Sequence, residues 1–209
     1  MEDVLEVYTR PHDPKRPVVC MDEKSYQLLV DKVEPLPPKP GKPGREDYEY
    51  ERNGVVNLFM LFEPLAGWRH VEVSEHRTSE DWAFVMRELS LMYPEAEKIV
   101  VVMDNLNTHT PASFYKVFEP EEAFELSQRF EFHYTPKHGS WLNMAEIELS
   151  VLARECLSQR IGDINTLARY VSLWEKKRNS ELVKVDWRFK TQDARIKLKR
   201  LYPVFKNHD

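Results

Sequence analysis

The chain has 209 residues, enough for one fair-sized domain or two small ones, and its 42% hydrophobic and 11% aromatic content supports a real core. A net charge of −5 gives no bulk support to a phosphate-backbone binder, which is usually basic, though a local basic patch is compatible with it. The apolar run "IVVVM" is far too short to span a bilayer, no signal-like segment opens the chain, and Cys20 and Cys156 sit in apolar patterns as free thiols. A cytoplasmic protein without a membrane partner is expected.

"RPVVCMD" (16–22) reads as a short buried strand ending at Asp22. "EPLPPKPGKPGR" (34–45) carries five prolines and two glycines, which exclude helix and central strand and leave an extended loop. Asn53-Gly54 then predicts a type I′ hairpin turn between "YEYERNG" and "VVNLFMLFEP", and "GWRHVEVSE" adds a third antiparallel strand. "TSEDWAFVMRELSLMYP" (78–94) is a helix, with a capping box at Thr78 and Asp81 and an apolar stripe of Trp82, Val85, Met86, Leu89 and Tyr93. "KIVVVMDN" is a strand buried on both faces and ending at Asp104, "TPASFYKVF" a short helix capped by Thr110, and "FEFHYTP" another strand. Helices follow over 140–160, over 163–180 with Ile164, Leu167, Val171 and Trp174 inward, and along a basic tail at 192–203. The order implies an α/β fold, a mixed sheet flanked by helices in one domain over 1–209. It lacks the alternation and the glycine-rich loop of a dinucleotide-binding fold.

Three carboxylates stand out. Asp22 and Asp104 each end a strand that should lie deep in the sheet. An Asp in such a place often only starts a turn, but two delivered to one sheet edge repel unless a cation lies between them. Glu146 falls on the core-facing stripe of the 140–160 helix with Leu142, Leu149, Ala153 and Cys156, where a carboxylate must be paired, protonated or metal-bound. Glu148 points the opposite way in that phase, so Glu148→Gln should be tolerated. An oxygen-only set without a Cys or His cluster suits Mg²⁺ or Mn²⁺ better than Zn²⁺. Two such ions, about 3.5–4 Å apart, serve phosphodiester chemistry.

The blocks "VVCMDEKSY", "VVVMDNLNTH" and "YTPKHGSWLNMAEIELSVL" resemble the three catalytic blocks of mariner-superfamily transposases, and most closely the bacterial insertion-sequence branch called the six-thirty group. "LFMLFEPLAGWRHVEV" is similar as well. The resemblance implies an RNase H-like fold with a mixed five-stranded sheet and a DDE triad of Asp22, Asp104 and Glu146, the last through "LNMAE". Asp22 would bridge two metal ions, Asp104 hold one and Glu146 the other. It further implies cleavage at element ends, strand transfer into target DNA, double-stranded DNA as partner, and a homodimer when paired on DNA. Two features depart from the family pattern. Between Asp104 and Glu146 lie 41 residues (146 − 104 − 1), more than the family's usual spacing, as an insertion near "EPEEAFELSQ" would produce. The family's N-terminal helix-turn-helix domains are absent, since the first catalytic strand begins by residue 18, so a DNA-binding half is expected upstream or lost.

Other residues carry weaker signals. Asn105 and His109 are candidates to orient the second carboxylate or touch substrate phosphate, against simple turn and cap chemistry. Lys137 and His138 precede the Glu146 helix as candidate phosphate contacts, and Trp141 reads as core rather than a base-stacking platform. The basic tail, with Arg195, Lys197, Lys199 and Arg200, reads as a solvated face more readily than as a DNA track. In mariner relatives an arm at the place of loop 34–45 clamps the partner subunit, which would let Lys39, Lys42 and Arg45 meet DNA phosphate or a partner's acidic surface. Two alternatives stay open: a catalytically silent truncated transposase acting as an inhibitory partner, and a stand-alone RNase H-like nuclease.

Overall fold

The computed structural model describes residues 1–33, 36–44, 47–106, 109–137 and 139–202. Arg45 and His138, two of the candidate contact residues, lie outside the described residues. In chain order the elements are α1 (Glu2–Val7), β1 (Val18–Asp31), β2 (Tyr50–Glu63), β3 (Trp68–Ser74), α2 (Ser79–Met92), β4 (Ile99–Met103), α3 (Pro120–Arg129), β5 (Phe130–Tyr134), α4 (Ala145–Glu155), α5 (Ile164–Ser180) and α6 (Thr191–Lys197). Short 3₁₀ turns stand at Pro111–Lys116, Ser140–Leu142 and Lys199–Leu201. Among the described residues no helix is long and apolar enough to cross a membrane.

The strands form one mixed sheet in the order β3-β2-β1-β4-β5. β1, β2 and β3 are antiparallel neighbours, and β4 runs parallel to both β1 and β5. Side-chain alternation divides the buried residues between two cores. Cys20, Met60, Phe62, Val100 and Val102 face α1, α4, α5 and α6, whereas Val19, Met21, Phe59, Val101 and Met103 face α2 and α3. The sheet is thus covered on both sides, which explains why β4 is apolar at every position.

Two expected strand ends are moved by tertiary pairing. β1 does not stop at Asp22. Its parallel pairing with β4 ends at Cys20, but it continues beside β2 to Asp31. Asn53-Gly54 is not a hairpin turn either. β2 runs straight through it, and the β1 register slips there, from Gln27 opposite Val55 to Leu29 opposite Arg52. Gly54 at φ 94° absorbs this as a bulge. The real β2–β3 turn is closed by Gly67 at φ 71°, where a Cβ would meet the Leu182 backbone at 2.7 Å. β3 is the sheet edge, and α5 covers it with side chains. Asn179 exchanges hydrogen bonds with the Arg69 backbone, and Glu175 accepts from Val71 N at 3.0 Å.

Helix α2 has the expected stripe, with Trp82, Val85, Met86 and Leu89 buried, and both bonds of the Thr78–Asp81 capping box are made. Helix α3 covers most of "EPEEAFELSQ". The expected 140–160 helix is divided. The turn Ser140–Leu142 comes first, Asn143 is extended, and α4 spans only Ala145–Glu155. This rotates the buried stripe to Ala145, Glu148, Leu149, Leu152 and Cys156. Trp141 is 43% exposed and packs edge-on against Phe189, so it is not core.

Candidate active site

Register brings the first two carboxylates together. Cys20 lies beside Val102 in the last rung of the parallel pair, and Asp22 and Asp104 each stand two residues beyond it, close enough for Asp104 to act on Asp22 electrostatically. β4 ends at Met103, which leaves Asp104 at the strand's open end while β1 runs on. Ala145, Leu149 and Leu152 anchor α4 in the core under Cys20 and Met60. Glu146, in the first turn of α4, is partly exposed and close enough to Asp22 to act on it electrostatically. Burial, together with the negative charges of Glu146, Asp104 and Glu23, pushes Asp22 up to about 6, although its carboxylate accepts a 2.8 Å bond from Glu23 N.

A buried histidine holds Asp104. His109 Nδ1 lies 2.8 Å from Asp104 Oδ1, and its Nε2 lies 2.7 Å from Glu23 Oε1. Burial alone would lower the imidazole, but the two carboxylates outweigh it and hold it at about 9, so the ring is protonated at neutral pH and donates to both. Trp82 stacks on it with ring centroids 5.8 Å apart. His109 is thus hydrogen-bonded to the second carboxylate. Glu23 escaped the sequence reading. It alternates with Asp22 along β1 and so faces the α2 side, where it meets His109. Its signal was a second acid in a strand that continues.

Glu148 reverses its expectation. It is 1% exposed, not turned to solvent. Arg178 donates to its Oε1 at 2.8 Å, and Arg69 Nε lies 3.3 Å from its Oε2. Arg69 is itself fully buried and also donates to the carbonyls of Gly67, Arg178 and Val183. The helical phase was off by the part of a turn that the break at Asn143 introduces. Glu146 therefore sits at the margin of the stripe, facing Asp22, and Glu148 takes the core position.

Among the described residues no three acidic, histidine or cysteine side chains converge closely enough to hold an ion as they stand. The donor chemistry nevertheless fits a hard divalent cation, because Asp22 is crowded by like charge and every candidate ligand is a carboxylate oxygen. In metal-free buffer, Glu146→Gln is accordingly expected to raise the melting temperature by about 2–4 °C, the equivalent of about 1 kcal/mol in a domain of this size. Mg²⁺ should then stabilise wild type more than the mutant. Asp104→Asn is not expected to behave this way, since it gives up the charged acceptor of His109. A lower metal-free melting temperature for Glu146→Gln would argue against the repulsion.

A family model described as DDE superfamily endonuclease matches residues 17–168, a span that contains all three carboxylates. The chain belongs to the DDE superfamily endonucleases. Its RNase H-like fold, the mixed five-stranded sheet flanked by helices, is shared with two solved structures. One is described as the Mos1 transposase paired-end complex with left transposon end, at 16% identity and a TM-score of 0.54, over 87% of this chain and 60% of that one. The other is described as the Mos1 strand transfer complex, at 15% identity and 0.55, over 86% and 57%. The DDE endonuclease chain thus spans about three fifths of the length of those structures. No curated relative matches its sequence.

Asn105 and Lys137 are exposed. Lys39 and Lys42 are exposed too, and their backbones form a small bridge, at 3.0 and 2.8 Å, within the proline-rich loop. In the basic tail Arg195 is committed to Glu2 by two bonds of 2.8 and 2.7 Å, and Lys197 lies over the Phe189 ring.

Proposed function

We propose that this chain is the catalytic domain of an insertion-sequence transposase of the mariner-related six-thirty group, cutting DNA strands at element ends and joining them to target DNA. The observation that carries the reading is the DDE endonuclease match over residues 17–168, within which Asp22, a strand carboxylate raised by burial and then by the charges of Glu146 and Asp104, lies beside the other two acids. Asp22, Asp104 and Glu146 would hold Mg²⁺ or Mn²⁺, two ions in the full site. Bound divalent ions supply charge stabilisation and alignment for in-line attack at a phosphodiester. The chain's own contribution is to hold the carboxylates still. β1 and the end of β4 present Asp22 and Asp104, protonated His109 fixes one oxygen of Asp104, and α4 brings Glu146 over them. Water is the first nucleophile and the freed 3′-hydroxyl the second. Exposed Asn105 and Lys137 are available to substrate phosphate. The Mos1 structures, described as a paired-end complex with a transposon end and a strand transfer complex, support DNA as the partner here, and the mariner resemblance implies target DNA, a dimer paired on DNA and a DNA-reading half.

The test is Mg²⁺-dependent nicking of duplex carrying an element end, by the chain alone and with a helix-turn-helix half fused upstream. Cleavage that needs the fused half supports the transposase reading. Cleavage by the chain alone, indifferent to the end sequence, supports a stand-alone nuclease. No cleavage in either arrangement overturns the catalytic assignment and leaves an inhibitory partner. The proline-rich loop gives a separate check. Replacing 35–44 with a short Gly-Ser linker should spare folding and metal binding but impair paired-end assembly, because a proline-stiffened arm loses less entropy on docking. Normal paired complexes on gel shift would rule out a clamp.

A further inference from the structure

Asn143 joins the two elements that present Asp22 and Glu146. It is 2% exposed and lies between the turn Ser140–Leu142 and α4. Its amide nitrogen donates to the carbonyl of Met21 at 2.7 Å, and its amide oxygen accepts from Ala145 N at 3.1 Å. Met21 immediately precedes Asp22, and Ala145 immediately precedes Glu146. One planar group therefore ties the backbone beside the first carboxylate to the backbone beside the third.

The bond to Met21 fills a definite gap. Pro17 O accepts from Val100 N at 2.9 Å, so by the two-residue period of a strand the carbonyl of Met21 turns toward the same neighbour. By that point β4 has run out, and a buried carbonyl left without a partner is costly. The Asn143 amide takes the place of the missing strand. The bond from Ala145 N satisfies one of the first helix N–H groups, which have no partner inside the helix. The donor and the acceptor are both required. Ionised Asp lacks the donor, Ser and Ala lack the reach, and Gln would push α4 outward by one methylene. The same segment is held from the other side by Tyr8, whose hydroxyl donates to Leu142 O at 2.7 Å.

We propose that Asn143 is a positioning residue that sets the separation of Asp22 and Glu146, and through it the grip of the site on a divalent cation. This deepens the carboxylate reading above and rests on it. Like charge on Asp22 and Glu146 disfavours their close approach, and Asn143 ties together the backbone that adjoins each of them.

The experiment is Mn²⁺ binding by calorimetry on the whole chain, with thermal unfolding measured in parallel, for wild type, Asn143→Ala, Asn143→Asp, Glu148→Gln and Asp22→Asn. Asn143→Ala and Asn143→Asp are expected to weaken Mn²⁺ binding by roughly 10- to 100-fold, the usual range when a residue that orients a ligand is lost. Glu148→Gln loosens another anchor of α4 and lowers stability, but leaves the Met21–Ala145 link in place. Below its melting transition it should bind Mn²⁺ as wild type does. Asn143→Asp keeps the volume and the acceptor, so it reports even if the alanine variant does not fold. Wild-type Mn²⁺ affinity in a folded Asn143 variant overturns the proposal and leaves the carboxylate reading standing. Equal Mn²⁺ binding by wild type and Asp22→Asn overturns both.

Discussion

Asp22→Asn, Asp104→Asn and Glu146→Gln are each expected to abolish Mg²⁺-dependent strand cleavage while leaving the far-ultraviolet spectrum unchanged. Metal ions at such a site contribute several kcal/mol of charge stabilisation, and a loss of about 4 kcal/mol is on the order of a thousandfold in rate. The three changes are isosteric, so packing is preserved and only charge is removed. They are not equivalent in stability. Asp22 carries the burden of its neighbours' charges, so neutralising Asp22 or Glu146 relieves repulsion. Neutralising Asp104 removes the charged partner of His109, which keeps only Glu23. The check is single-turnover cleavage of an end-containing duplex beside thermal melting. A variant that cleaves at the wild-type rate removes that residue from the catalytic set.

The second large effect falls on stability and concerns the acid two positions along from Glu146. Glu148→Gln is expected to cost about 3 kcal/mol, because breaking a buried ion pair leaves charge without compensation, and to lower the melting temperature by roughly 6–12 °C. The estimate is at the low end for such pairs. Arg69 retains the carbonyls of Gly67, Arg178 and Val183 as acceptors, and glutamine preserves the volume. Cleavage at a temperature where the variant is folded should persist. A melting temperature equal to wild type would refute the buried pairing. Loss of cleavage without loss of stability would hand Glu148 the role assigned here to Glu146.

The two glutamates show where sequence reasoning reaches and where it stops. Periodicity across "SWLNMAEIELS" puts one acid inside the helix but names Glu146, which similarity to known catalytic blocks also selects, whereas the buried acid of α4 is Glu148. But phase is counted from a helix's first residue, and that start was set by Asn143, whose extended backbone depends on a bond to Met21, 122 residues earlier. A rotation of less than half a turn separates a site carboxylate from a core ion pair, and local pattern does not resolve it. The other side of that pair, Arg69 in "GWRHVEV", shares the inward face of β3 with Val71, and its partner on α4 is set only by the packing of distant elements.

Local chemistry was enough wherever an element's own residues decide its form. The apolar run of β4, the capping box of α2, the inward stripe of α5 and the α/β class with helices on a mixed sheet all follow from patterning over a few neighbouring residues. Asp22 and Asp104 stood out on the same basis, as acids at the edge of buried runs. What only the tertiary structure decided is whatever depends on a distant partner. Pairing with β2 carried β1 past Asp22 and turned Asn53-Gly54 from a hairpin into a bulge, because a long antiparallel neighbour offers hydrogen bonds that a local turn signal cannot outweigh. Register between β1 and β4 set the two aspartates at the same end of the parallel pair, each two residues past its last rung, and His109 could be recognised as the bridge from Glu23 to Asp104 only once both strands were set. The sequence by itself determined that Asp22 and Asp104 carry charge to the end of buried strands, but not that Glu148 and Arg69 are buried as a pair. The fold determined which of those charges face one another, since that depends on contacts between residues far apart in the chain.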